Sequence, residues 1–112
     1  MYGYVKVGSA VPKLRVADCV YNKEEILKLV EAAAAKQVRV LSFPELSVTG
    51  YTCADLFFQT PLLHAAEQAI QEIAEATKAL NIFLLIGAPI AVDNQMFNCA
   101  VALYRGKLLG IV

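Results

Sequence analysis

Hydrophobic positions in the first half of the chain follow a two-residue period, then a helical period, then a two-residue period again. The alternating segment from Tyr2 to Val11 is rich in Val and Tyr and predicts a strand. Asn22, with Glu25 three residues later, predicts an N-cap and a helix whose apolar stripe begins at Ile26. The short run from Val38 to Phe43 predicts a second strand. The first half is therefore predicted as strand, helix and strand.

The second half begins with a longer helical pattern. Pro61 at the first helical position predicts a one-sided amphipathic helix from Thr60 to about Leu80. The continuously apolar run from Ile82 to Ile86 predicts a strand that is covered on both faces. Two more strands are predicted over Phe97–Tyr104 and Leu108–Val112.

These elements define a fold class. Arg105 and Gly106 lie between the last two predicted strands and predict a tight hairpin turn. The element order is β-α-β-α-β-β-β. It predicts an α/β layer fold in which helical crossovers connect parallel strands and the last strands form an antiparallel edge.

The composition is more apolar than a small single domain needs. Of the 112 residues, 58% are hydrophobic, although a short chain has much surface that polar residues must cover. The longest apolar stretch, Ile82 to Val92, is too short for a membrane span and contains Gly87 and Pro89. We expect no membrane association, and we expect a partner subunit or the rest of a larger domain to cover the excess apolar surface.

Charge and cysteine spacing argue against further classes. Ten basic and ten acidic side chains balance, so we expect no nucleic acid partner and no anionic membrane partner. Cys19, Cys53 and Cys99 are far apart and match neither a disulfide framework nor a zinc site. The segment from Met1 to Lys6 lacks the regions of a signal peptide, which predicts a cytoplasmic protein.

Glu45 is the main candidate for chemistry, because sites in open α/β sheets form beyond the carboxyl ends of strands. The first strand end, Val7 to Pro12, has neither a GxGxxG motif nor a Walker loop. Glu45 follows the second strand, where a buried strand and Leu46 would partly remove its carboxylate from water, as a general base requires. The alternative is a solvated loop glutamate without a chemical role.

Other reactive side chains have weaker support. There is no GxSxG motif and His64 is the single histidine, so a Ser/His/Asp triad is not supported. Each cysteine is better interpreted as a small buried hydrophobe than as a nucleophile. Asp55 is interpreted as a cap of the following turn, and Asn98 as a residue that hydrogen-bonds to local backbone.

The segment from Phe43 to Tyr51 resembles the glutamate motif of the nitrilase superfamily, the carbon-nitrogen hydrolases. The continuation from Thr52 to Gln59 is similar to the glutaminase domain in the family of glutamine-dependent NAD synthetases. Further segments that resemble the superfamily's strands and second segment cover nearly the whole chain: Val5–Pro12, Ala17–Asn22, Ile86–Pro89 and Phe97–Ala100.

The resemblance implies an αββα sandwich of the nitrilase type, with residues 1–112 as the N-terminal portion of a glutamine amidohydrolase domain. It implies that Glu45 is the general base of a Glu-Lys-Cys triad that hydrolyses the carboxamide of glutamine. It also implies that Tyr51 lies near the glutamine pocket and binds substrate. The amidase chemistry then needs no cofactor, whereas ATP and Mg²⁺ belong to a synthetase domain that amidates deamido-NAD.

The family's lysine and cysteine have no counterpart in the chain. The lysine follows a strand that matches Leu108–Val112, the cysteine lies further on, and none of the three cysteines here matches the nucleophile's motif. The last predicted strand also stops without a turn or cap, so we expect a fragment that has no glutaminase activity by itself. The full-length protein is expected to be a homo-oligomer.

Two alternatives remain open. Another carbon-nitrogen hydrolase, acting on ω-amides, carbamoylated amines or nitriles, would use Glu45 in the same role. A non-catalytic α/β module that associates through an exposed strand edge would not use it.

Overall fold

The computed structural model describes residues 3–50, 60–93 and 95–112. These ranges contain five strands and two helices in the predicted order. The elements are β1 (Val7–Ser9), α1 (Cys19–Ala35), β2 (Val40–Ser42), α2 (Thr60–Ala76), β3 (Phe83–Val92), β4 (Gln95–Tyr104) and β5 (Lys107–Ile111). The proposed Asp55 cap, Cys53 and Tyr51 lie outside the described residues.

The strands form one sheet in the order β1-β2-β3-β4-β5. The pairs β1–β2 and β2–β3 are parallel, because α1 and α2 provide the crossovers. The pairs β3–β4 and β4–β5 are antiparallel hairpins. Arg105 and Gly106 form the second hairpin's turn with φ of 51° and 84°, as two-residue turns of this kind require. The predicted α/β class is confirmed.

Strand β3 is longer than its apolar core. The sequence pattern predicts Ile82–Ile86, whereas β3 pairs with β4 over ten residues, from Phe83 opposite Tyr104 to Val92 opposite Gln95. Pro89 is tolerated inside it because β2 pairs with β3 only as far as Leu85.

The predicted N-cap of α1 is wrong. The helix begins at Cys19, and the Asp18 side chain accepts a hydrogen bond from the backbone N–H of Tyr21 at 3.0 Å. Because Asp18 already caps the helix, Asn22 lies inside it and is fully buried. Asn22 is therefore free to bond to neighbouring segments.

The core lies between the helices and one face of the sheet. Leu84 and Ile86 alternate along β3 and face the helices, and their partners Leu103 and Val101 on β4 do the same. Leu85 and Gly87, the neighbours of Ile86 on β3, belong to the other face. This alternation separates the packed core from the face of the sheet that carries Leu85 and Gly87.

An ion pair joins the two helices at their surface. Lys23 Nζ lies 2.8 Å from Glu72 Oε2. The hydrogen bond from Lys23 lowers the pKa of the Glu72 carboxyl, and the same bond raises the pKa of Lys23.

Among the described residues, no helix has the length and apolar character that a membrane span needs.

Candidate functional site

Glu45 lies in a turn that follows β2 and that is stabilised by hydrogen bonds between its own backbone groups. Phe43 first continues the sheet by donating its backbone N–H to the carbonyl of Leu85 at 2.9 Å. The N–H groups of Thr49 and Gly50 then both donate to the carbonyl of Leu46, at 3.2 and 2.8 Å. Residues 46–50 are all buried, so the turn is a packed part of the molecule although it is not regular structure.

The turn lies directly against the backbone of β3 at Gly87. The N–H of Val48 donates to the carbonyl of Gly87 at 3.2 Å. A Cβ atom added to Gly87 would lie 2.4 Å from the backbone nitrogen of Leu46 and 2.5 Å from the carbonyl oxygen of Pro44. Only glycine allows so close an approach, so Gly87 sets the position of the backbone that carries Glu45.

Asn22 fixes the far side of the same turn. Its Nδ2 donates to the carbonyl of Val48 at 2.8 Å and to the carbonyl of Arg15 at 2.9 Å, and its Oδ1 accepts from the N–H of Arg15 at 2.7 Å. The side chain therefore joins α1, the segment before it and the turn. The sequence did contain a sign of this role, because Asn22 lies four residues before Ile26 on the buried side of the helix. The interpretation of Asn22 as an N-cap hid that sign.

The hydroxyl groups near Glu45 form hydrogen bonds to the backbone of the turn. The Ser47 hydroxyl donates to the carbonyl of Pro44, and Ser47 and Thr49 are both buried. These contacts hold the local backbone.

The Glu45 side chain itself is exposed, so the partial removal from water expected from sequence is not found in the described structure. Its Oε2 accepts a hydrogen bond from Nδ2 of Asn98, at 3.2 Å. The expectation that Asn98 bonds to local backbone is therefore wrong. The reason is the β3–β4 register, which brings Asn98 to the Glu45 turn and which the sequence does not reveal.

Glu45 and Asn98 line a pocket of about 210 Å³ that also includes residues from β3 and β4. The rest of its lining is apolar or small: Phe43, Leu85, Gly87, Cys99, Ala100 and Val112. The pocket thus presents a carboxylate and a carboxamide in otherwise apolar surroundings. Such a pair can accept a proton or hold a group that carries N–H or O–H donors.

The remaining candidates lie elsewhere or serve packing. His64 is exposed on α2 and is not part of the pocket lining. Cys19 is buried and Cys99 is partly buried. Within residues 3–50, 60–93 and 95–112 there is no cluster of three His, Cys, Asp or Glu residues that could hold a metal ion. Tyr51 lies outside the described ranges.

The sequence profile described as carbon-nitrogen hydrolase matches residues 6–111. A glutamine-dependent NAD(+) synthetase of Mycobacterium leprae is 33% identical over 109 residues, which are 97% of this chain and 16% of that protein. This chain therefore spans about one sixth of the length of that relative.

Solved structures show the same fold. A crystal structure of a glutamine-dependent NAD(+) synthetase from Cytophaga hutchinsonii superposes with a TM-score of 0.89 and 29% identity, over 96% of this chain and 18% of that chain. An amidase from Nesterenkonia sp. superposes with a TM-score of 0.73 and 22% identity, over 92% of this chain and 40% of that chain. The second likeness concerns the fold alone.

Proposed function

Because the chain belongs to the carbon-nitrogen hydrolase family, we propose that residues 1–112 form the first part of the glutamine-hydrolysing domain of a glutamine-dependent NAD synthetase. The family and the nitrilase-type fold predicted from the motif are confirmed by the profile match and the superposition. The similarity to synthetases at 33% and 29% identity supports glutamine as the substrate.

In this proposal Glu45 is the general base. The observation that carries it is the carboxylate in the lining of the pocket, on a backbone against which Gly87 packs closely. Glu45 would take the proton of a cysteine thiol, and the thiolate would attack the carboxamide carbon of glutamine. The C–N bond then breaks, ammonia leaves with the returned proton, and water hydrolyses the thioester to glutamate.

Other parts of the full-length protein would complete this chemistry. By the motif resemblance, the lysine that stabilises the oxyanion and the cysteine nucleophile come from beyond Val112, and Tyr51 contributes to the glutamine site. Residues 1–112 alone are therefore expected to release no ammonia from glutamine. This follows because loss of a triad nucleophile removes most of the catalysis.

The proposal extends to cofactors and assembly. Amide hydrolysis at Glu45 would need no cofactor, because the thiol and carboxylate of the triad carry the proton and acyl transfers. ATP and Mg²⁺ would belong to the ligase part, which uses the ammonia to amidate deamido-NAD. We propose a homo-oligomer in the cytoplasm, and the exposed apolar residues on the edge strand support the assembly.

The test is glutamine hydrolysis by the natural full-length protein and by its Glu45→Gln variant. We expect Glu45→Gln to lower kcat about 10³-fold, because the amide cannot accept the thiol proton. NAD formation from added ammonia should stay at the wild-type rate, which shows that the protein is folded.

Glu31→Gln is the matched control, because Glu31 is an exposed glutamate of α1 that lies away from the pocket. It should leave glutamine hydrolysis unchanged. Wild-type glutamine hydrolysis by Glu45→Gln would contradict the role of Glu45. Hydrolysis of an ω-amide or a nitrile in place of glutamine would contradict the substrate.

A further inference from the structure

Asn98 reaches Glu45 because of the register of one hairpin. Gly87, on which the Glu45 turn rests, lies opposite Ala100 of β4, and Pro89 lies opposite Asn98. Residues two apart on a strand share a face, so Asn98 and Ala100 project towards the same side of the sheet as the missing side chain of Gly87. The strand that supports the turn thus also aligns a polar side chain with Glu45.

The direction of the hydrogen bond follows from the chemistry of the two groups. An ionised carboxylate can only accept, so the Asn98 amide must donate its Nδ2–H to Glu45 Oε2. Among the described residues this is the one hydrogen bond to the Glu45 side chain. The contact with Asn98 uses one carboxylate oxygen, and a carboxylate can accept a proton on its other oxygen, Oε1.

An exposed glutamate needs such a contact. The hydrogen bonds of the turn and the close approach of Gly87 fix the backbone at Glu45, but they leave its side-chain torsions free. A general base must come within about 2.6–3.2 Å of the proton that it removes, and a misplacement of about 1 Å can cost about 100-fold in rate. Asn98 is the described pocket residue with an amide donor that restrains those torsions.

We propose that Asn98 is a positioning residue: its amide holds Oε2 of Glu45 and thereby aims Oε1 at the nucleophile's proton. This inference rests on the proposed role of Glu45 as general base. Asn98 acts through Glu45 and not through contact with glutamine, so its removal should lower kcat and leave KM nearly unchanged.

The test measures glutamine hydrolysis by the full-length natural protein with Asn98→Ala and Asn98→Asp. We expect Asn98→Ala to lower kcat about 10- to 100-fold, with KM within about twofold of wild type. Asn98→Asp has the same size but no donor, and it adds a negative charge beside Glu45. It should be at least as slow as the alanine variant.

The aspartate variant also provides a readout that a structural role would not move. Two neighbouring carboxylates favour protonation of the pair, so the acid side of its kcat/KM profile should move to higher pH by about one unit. Gln95→Ala is the matched control, because it removes an exposed amide from the first residue of β4, three positions from Asn98 and therefore on the opposite face of the strand, outside the pocket lining. It should change neither rate nor profile.

The outcomes separate this inference from the proposed function. If Glu45→Gln is inactive while both Asn98 variants keep the wild-type kcat, the positioning role is wrong and the role of Glu45 stands. If the variants raise KM and leave kcat unchanged, Asn98 binds substrate and the inference is overturned. If Glu45→Gln is fully active, both proposals fail. Ammonia-dependent NAD formation measured in parallel identifies a variant that has not folded.

Discussion

The turn at residues 44–50 and the edge strand β5 differ in a way that secondary structure alone does not suggest. Residues 46–50 are all buried, although they form neither helix nor strand. Strand β5 is regular, yet most of its side chains are exposed, including Leu108 and Leu109 at 56% each. A residue in this chain is buried when other segments of the chain pack against it. A regular strand at the edge of the sheet does not bury its side chains by itself.

The comparison predicts that a glycine-to-alanine change will strongly lower stability at the turn and have little effect in β5. The largest effect is expected for Gly87→Ala, because its Cβ would meet backbone atoms of Leu46 and Pro44 well inside contact distance. Relief requires the turn to move, and we expect a loss of about 3 kcal/mol in the free energy of unfolding. Urea denaturation measures it.

Gly110→Ala is the control for that change, because a Cβ at Gly110 of β5 has no heavy atom within 4 Å. We expect an effect of less than about 0.5 kcal/mol. Equal effects at the two glycines would show that the turn tolerates displacement from β3 and would remove the contrast.

A smaller loss is expected when Asn22 is replaced by alanine. The change removes three hydrogen bonds and leaves backbone groups of Arg15 and Val48 without their side-chain partner. We expect a loss of about 2 kcal/mol, because unpaired buried polar groups are costly. Gln71→Ala, at an exposed amide of α2, should stay within about 0.5 kcal/mol of wild type. A negligible effect of Asn22→Ala would mean that water replaces the amide.

The smallest effect is expected in β5 itself. Leu109→Ala removes a side chain that is already 56% exposed, so the free energy of unfolding should change by less than about 0.5 kcal/mol. The identical substitution at the buried Leu46 should cost about 2 kcal/mol. A large loss from Leu109→Ala would show that β5 is covered by another surface, which size measurements at several concentrations would detect.

Local signals in the sequence predicted much of this fold. The strand before Glu45 and the hairpin turn at Arg105 and Gly106 depend on neighbouring residues, and both are confirmed. The start of α1 was predicted wrongly because Asp18 and Asn22 are both of residue types that cap helices. In the structure, the Asp18 carboxylate accepts the hydrogen bond from the backbone N–H of Tyr21. Which of the two residues caps the helix depends on the path of the segment before α1. The local sequence pattern does not contain that path.

The site was predicted less completely, for a similar reason. Glu45 follows directly from its place after an apolar strand, and its catalytic role remains a prediction. Asn98 has no neighbour in sequence that marks it, because its partner is determined by the pairing of β3 with β4. Gly87 likewise gives no local sign of the backbone that lies on it.

The hydrogen bond between Glu45 and Asn98 also has a consequence for the order of folding. It joins residues 53 positions apart, whereas the β3–β4 hairpin closes between Val92 and Gln95. Short loops close in less than a microsecond and long ones pay a larger entropy of closure, so we expect the hairpin to form first. We then expect the turn to pack against a hairpin that has already formed. During synthesis on the ribosome, the Glu45 carboxylate can bond to the Asn98 amide only after β4 has emerged.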